Sequence, residues 1–274
     1  MVSHWSPKPI FQVQVLTTLH MKIYFLGTNG WYTTLAGDTP CILIDSKDRY
    51  IIFDAGNGIY KIDQYIKENK PISLFVSHFH IDHVSGFHIL NKFNFPQGID
   101  IYFARGRKKD FDLFVNPPYA VGIEKSKKNI FTLKTEIRLH ELKEGENNIG
   151  FPVRMEKLYH AYENHGFKII LDGKSIAYSG DTKRGPNGLL IAKDVDLLIH
   201  ECSNIISPDQ DIWGHTDPVQ TAQFALDAGV KKLVLTHFGA HLYNTLEKRK
   251  EAERKAKKIF PNTIAVMDDM ILTI

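Results

Sequence analysis

The sequence predicts an α/β (α+β) chain in which two sheets are sandwiched between outer helices. Three observations carry that expectation. Apolar β-type runs lead both halves of the chain, and segments with helical spacing follow them. The 274 residues are 43% hydrophobic and contain no repeat, low-complexity segment or Pro/Gly/Ser-rich linker, so a single domain over residues 21–274 is the simplest organisation. Five apolar runs end in a histidine or a carboxylate: Val76-Ser77-His78, Leu158-Tyr159-His160, Tyr178-Ser179-Gly180-Asp181, Ile199-His200-Glu201 and Leu235-Thr236-His237. Loops at strand ends reposition side chains without disturbing a core, and one shared site explains all five.

Residues 1–20 lack regular patterning and are expected to be a loosely held extension, with Met21 an alternative start. Ile23–Leu26 reads as a strand ending in the turn Gly27-Thr28-Asn29-Gly30. That turn lacks the G-x-G-x-x-G pattern of a nucleotide loop and is expected near the site. Cys41–Asp45 and Ile51–Asp54 form a strand pair, and Ile59, Ile62 and Ile66 have helical spacing up to Pro71. Ile72–Val76 is a buried strand, Val84–Phe93 opens as a helix and Ile99–Phe103 is a strand. Residues 105–128 read as a long, mostly irregular excursion carrying two basic clusters, 105–109 and 125–128. The short β-type runs from Ile130 to Tyr178 predict an antiparallel meander. Asp196–Ile199 is a strand, Thr216–Ala228 a helix stopped by Gly229, and Lys232–Leu235 a strand. Asn244–Lys258 is a charged amphipathic outer helix, and strands at Thr263–Met267 and Ile271–Ile274 close the chain.

Composition excludes several function classes. A formal charge of +3 permits an anionic substrate without demanding nucleic acid. The two cysteines, Cys41 and Cys202, form no C-x-x-C pair, which argues against a disulfide framework or a thiolate zinc site. As buried thiols they fit a reducing cytoplasm. No apolar run approaches the roughly 18–20 residues that cross a bilayer, so no membrane partner is expected.

The chemistry concentrates in SHFHIDHVSG, Ser77–Gly86, where three histidines and one aspartate fall within six residues. His78 and His80 lie two apart and face the same way in an extended loop, so they can share one metal; Asp82 and His83 point at a second position. Imidazole with carboxylate, without thiolate, suits zinc, manganese or iron. A lone histidine is usually filler, but this density is a metal motif.

HFHIDH resembles the H-x-H-x-D-H signature of the metallo-β-lactamase superfamily, whose fold is a four-layer αβ/βα sandwich. Phe53-Asp54-Ala55-Gly56-Asn57-Gly58 is similar to its structural D-x-G turn, and the likeness covers about Met21 to Ile274. Within the superfamily, His200-Glu201, Gly214-His215-Thr216 and Leu235-Thr236-His237 look like the elements of the ribonuclease Z group. The resemblance implies two divalent cations, zinc first, with His78, His80 and His160 holding one, Asp82, His83 and His237 the other, and Asp181 bridging them. It also implies a homodimer.

Two such ions about 3.5–4 Å apart can hold a bridging hydroxide as nucleophile against a phosphodiester. Asp82 would orient that hydroxide or take its proton. His215, polarised by Glu201, would stabilise the phosphate or protonate the leaving alkoxide, unless it is only a neighbour of the helix start at Thr216. Two features depart from ribonuclease Z. The tRNA-gripping arm between the third histidine and the bridging aspartate is absent, since His160 and Asp181 are 21 residues apart; and L-T-H-x-S-x-R reads LTHFGAH, so its serine and arginine are replaced. His241 there is a phosphate contact or a surface residue. The expected activity is hydrolysis of a small or nucleic-acid-derived phosphodiester. The alternatives are a ribonuclease Z-type tRNA 3′-processing enzyme, a lactone or thioester hydrolase using the same hydroxide, and a non-catalytic RNA-binding scaffold. The filled ligand positions argue against the last, and His80 argues against a redox diiron site, which would want a carboxylate there. The basic clusters read as solvated loops ahead of RNA contacts. His4, His20, His88, His140 and His165 have no evident partner, and His200 is placed behind the site.

Overall fold

A computed structural model describes residues 21–123, 133–208 and 212–274. The N-terminal extension, the cluster at 125–128 and most of Ile130–Leu133 therefore lie outside the described residues. The strands in chain order are β1 Lys22–Gly27, β2 Asn29–Gly30, β3 Cys41–Asp45, β4 Tyr50–Phe53, β5 Ile72–Phe75, β6 Ile99–Ala104, β7 Ile137–Leu142, β8 Gly145–Asn148, β9 Pro152–Leu158, β10 Asn164–Leu171, β11 Lys174–Tyr178, β12 Leu197–Glu201, β13 Leu233–Thr236, β14 Phe238–Gly239, β15 Thr263–Ala265 and β16 Met270–Thr273. The helices are α1 Ile81–Val84, α2 Lys108–Val115, α3 Pro186–Ala192, α4 Pro218–Asp227 and α5 Leu246–Lys257, with two 3-10 segments at Asn57–Gln64 and Ser85–Lys92.

Among the described residues, the strands form two large sheets, ordered β16-β1-β3-β4-β5-β6-β7 and β15-β13-β12-β11-β10-β9-β8. Alternate side chains of both sheets meet in a central layer that includes Phe53, Phe75, Phe167, Tyr178 and Ile199. The outer face of the first sheet packs on the 3-10 segments and α2 through Ile59, Leu74, Phe87 and Phe111. The outer face of the second packs on α3, α4 and α5 through Leu198, Phe224, Leu235 and Ala252. Two sheets between outer helices is the architecture expected. Strands β4 to β7, and β11, β12, β13 and β15, run parallel, so their C-terminal ends point the same way within each sheet and deliver loops to one rim.

Several local expectations need correction. The Ile59–Ile66 and Val84–Phe93 stretches are 3-10 segments, each only eight residues long. The excursion after β6 contains α2, whose Phe111 and Val115 are buried four residues apart. β7 is not part of an antiparallel meander: it joins the first sheet parallel to β6, and the meander is β8 to β11. Helix α4 starts one residue later than Asp217, which is its N-cap; the Asp217 carboxylate accepts from the Val219 and Gln220 N–H groups. Pro186 opens α3 at its first turn, where a missing N–H costs nothing.

Candidate metal centre

Strand β5 is followed, after Val76, by Ser77-His78-Phe79-His80, which leads to α1 at Ile81. His78 and His80 therefore project the same way, while one helical turn swings Asp82 and His83 to a second position. His160 follows β9, Asp181 follows β11 and His237 follows β13. His237 sits at φ 50°, a left-handed backbone held by the strand ends on either side.

The donor atoms gather into two groups, each within 4.8 Å: His78, His80, His160 and Asp181; and Asp82, His83 and His237. In the first, His78 Nε2 lies 3.0 Å and His160 Nε2 3.3 Å from His80 Nδ1. In the second, His83 Nε2 and His237 Nε2 are 3.0 Å apart, and His237 Nε2 is 3.3 Å from Asp82 Oδ2. Asp181 stands between them. Its Oδ1 is 3.1 Å from His237 Nε2 and 3.3 Å from His83 Nε2, and its Oδ2 is 3.8 Å from His78 Nε2. That buried Oδ1 accepts no hydrogen bond. A carboxylate oxygen sealed from water with ring nitrogens converging on the same space is a donor set for a cation.

The rings are oriented from behind. Asp54, wholly buried and at φ 58°, accepts from the Ser77 N–H at 2.7 Å, the Ser77 Oγ at 2.8 Å and the Tyr178 hydroxyl at 2.5 Å. Its Oδ2 also pairs with His83 Nδ1 at 2.8 Å, which leaves Nε2 of that ring for a metal. Ser203 Oγ lies 2.8 Å from His237 Nδ1, and Ser77 Oγ 3.0 Å from His78 Nδ1. Gly56 lets the Asp54 turn lie against the metal loop, for a Cβ there would fall 2.2 Å from the Asp82 carbonyl oxygen.

Burial lowers the pKa of His78 well below the usual imidazole range, lowers that of His80, and takes His160 down to about 4, so the three imidazoles of the first group are neutral and ligand-ready. On the other side, burial works against charge on His83, but the carboxylates of Asp181, Asp82 and Asp54 outweigh it and raise the ring well above its ordinary value. Burial likewise acts to raise Asp82 and Asp181, and the imidazoles of His83 and His237 more than offset it and hold both low. The carboxylate-rich half thus favours positive charge, the demand a divalent cation meets.

Beside this cluster, His215 Nδ1 lies 2.9 Å from Glu201 Oε1. Glu201, at the end of β12, is buried and also accepts from the Thr182 and Ser203 N–H groups. Burial would raise its carboxyl, but His215 brings it below the usual range. The His215 ring lies 5.2 Å from that of His160, and it shares a 4.8 Å donor group with Asp181 and His237. His80, Asp82, His160, Asp181, His215 and His237 open on a cavity of about 600 Å³ that is also lined by Trp31, Trp213 and His241.

The remaining sequence candidates fall elsewhere. His200 is buried against Phe224, its Nδ1 on the Glu201 carbonyl at 2.9 Å. His140 pairs with Asp100 at 2.7 Å, His165 is buried near Glu163 at 3.8 Å, and His88 is exposed. In the first basic cluster Arg107 is tied to Glu163 and Asp110, and Lys108 to Asp112, so these charges brace the surface. Sequence reasoning missed the orienting roles of Tyr178, Ser77 and Ser203, and the aromatic lining; the doublet Trp31-Tyr32 next to a glycine turn was an available signal.

A family model described as a beta-lactamase superfamily domain matches residues 49–238. Ribonuclease Z of Methanosarcina acetivorans is 27% identical, with 93% of this chain and 98% of that protein covered. Among solved structures, the metallo-beta-lactamase fold protein YhfI of Bacillus subtilis superposes with a TM-score of 0.73 at 20% identity over 93% of this chain and 99% of its own. Human tRNase Z, short form, gives 0.69 at 21% identity over 92% and 98%. The chain belongs to the beta-lactamase superfamily, with the metallo-β-lactamase fold of a metal-dependent hydrolase related to ribonuclease Z.

Proposed function

We propose that the protein is a binuclear metal-dependent phosphodiesterase acting on a small or nucleic-acid-derived phosphodiester. The observation that carries this reading is the His215–Glu201 pair set against a donor cluster that divides in two around Asp181. His78, His80 and His160 would hold one cation, Asp82, His83 and His237 the other, and Asp181 would lie between them. The donors suit zinc, with manganese or iron as alternatives. Two cations would polarise the phosphate and lower the pKa of the attacking water towards roughly 7. Asp82 would orient that water or take its proton. His215, its Nδ1 occupied by Glu201, presents Nε2 to the leaving oxygen and protonates it. The likeness to ribonuclease Z relatives places lactones and thioesters behind phosphodiesters.

Ribonuclease Z-type tRNA processing is the second reading, supported by the length over which such relatives align. Against it stands the short link from β10 to β11, only Asp172 and Gly173. The alignment with the Methanosarcina acetivorans protein runs over 315 positions, more than the 274 residues of this chain, so that relative carries residues with no counterpart here. Metal-reconstituted protein offered bis(p-nitrophenyl) phosphate, a precursor tRNA and a lactone separates the three. Hydrolysis of the first, abolished by Asp82→Ala, is expected; cleavage of the tRNA at its 3′ trailer would favour the second reading.

A further inference from the structure

Trp31 occupies an unusual position. It lies at φ 78°, a left-handed backbone that strains a bulky side chain, and the residue is 63% exposed. Both features are unfavourable for a residue that only packs. The backbone around it is fixed by the candidate ligand side chains. Its N–H donates to Asp82 Oδ2 at 2.7 Å. The preceding Gly30 passes so close to the His237 ring that a Cβ would fall 2.4 Å from Cε1. Asn29, one residue earlier, uses its amide to hold the Tyr32 carbonyl, Thr34 Oγ1 and the Gly37 carbonyl at 2.7–3.1 Å, so the loop is pinned on both sides of the indole. The ring is braced at steep angles by Tyr32 (5.1 Å, 69°) and His241 (5.3 Å, 83°), contacts that set its plane without stacking on it. It lines the cavity holding Asp82, Asp181 and His237.

We infer that Trp31 is a stacking platform for a nucleobase on the part of the phosphodiester retained after cleavage, so that the substrate class is a nucleotide ester. The inference rests on the phosphodiesterase reading. Trp31 is tied to Asp82, whereas His215 serves the leaving oxygen; an in-line displacement puts those functions on opposite sides of phosphorus, which keeps the indole away from the leaving group. Base–aromatic stacking is sequence-tolerant because every base presents a π-face, so the platform selects for a base without selecting which one.

The test compares thymidine 5′-(p-nitrophenyl phosphate) with methyl p-nitrophenyl phosphate, which share a leaving group and differ in the retained part. Wild-type protein is expected to favour the thymidine ester at least about tenfold in kcat/KM, through KM. Trp31→Ala should cut that ratio at least fivefold, and Trp31→Phe should restore most of it. Binding of thymidine 5′-monophosphate against methyl phosphate, by calorimetry on the metal-loaded protein, should show the same preference and the same collapse. Equal binding of the two in wild type, or a preference untouched by Trp31→Ala, overturns the inference. Turnover of both esters without a thymidine preference sinks the inference and leaves the phosphodiesterase reading standing. A base preference in binding without any turnover supports the platform and counts against the hydrolysis.

Discussion

Replacing Asp54 with asparagine keeps the volume of a wholly buried side chain and changes only what it can accept. Asp54 Oδ1 accepts the Ser77 N–H, a role the amide oxygen retains. Its Oδ2 faces Ser77 Oγ, the Tyr178 hydroxyl and His83 Nδ1. An amide nitrogen there donates. The two hydroxyls can turn and accept, but His83 can accept at Nδ1 only by carrying its proton on Nε2, the nitrogen that faces His237 at 3.0 Å. The substitution therefore selects the ring tautomer that cannot bind a metal. Loss of such an orienting partner typically weakens metal affinity about 10- to 100-fold, equivalent to roughly 1.4–2.8 kcal/mol. Competition with a chromophoric chelator measures it, with thermal melts of the chelated proteins as a control for folding. The second metal equivalent should weaken by that factor while the first moves little. Equal affinity for both equivalents in Asp54→Asn and wild type would refute the orienting role.

Gly30→Ala forces a Cβ into the His237 ring, and native metal analysis should find one equivalent weakened or lost in a protein that still folds. His215→Ala and Glu201→Gln should each lower kcat for a phosphodiester about 10²- to 10⁴-fold with metal content retained, and the double variant should be little worse than either alone; additive losses would separate the pair. Asp196 offers a pH test away from the site. Lys231 Nζ at 2.7 Å and the Ser175 N–H hold its carboxyl down at about 2. Its contribution is complete above the ordinary aspartate value and is lost as pH falls through about 2. With Lys231 largely in water, the stability advantage over Asp196→Asn should be about 1 kcal/mol at neutral pH and shrink to nothing in denaturant melts near pH 2.

His78, His160, Asp181 and His237 were legible because each sits just past the end of an apolar strand, with His80, Asp82 and His83 close behind His78, and strands that point the same way bring such ends to one rim whatever the intervening chain does. Seven residues spread from His78 to His237 gather within two adjoining groups for that reason. What stands behind them was hidden in part: the D-x-G turn marked Asp54, but its partner Tyr178 lies 124 residues away and no local pattern joins the two. The sheet membership of β7 was misread because periodicity marks a strand without naming its neighbour. Helix α2 was obscured by charge: Arg107, Lys108 and Lys109 read as a basic loop, while Phe111 and Val115, one helical turn apart, carried the true signal. Arg249, within the last helix, is buried; its guanidinium reaches Thr28 Oγ1 at 2.7 Å and Asn29, next to the Trp31 loop.

The most direct test of two metals acting on a phosphodiester is a zinc titration of chelator-stripped protein, followed by the rate of bis(p-nitrophenyl) phosphate hydrolysis. The rate should rise with added zinc and reach its plateau at two equivalents per chain. A protein that binds two equivalents and remains inert to every phosphodiester offered would contradict the account.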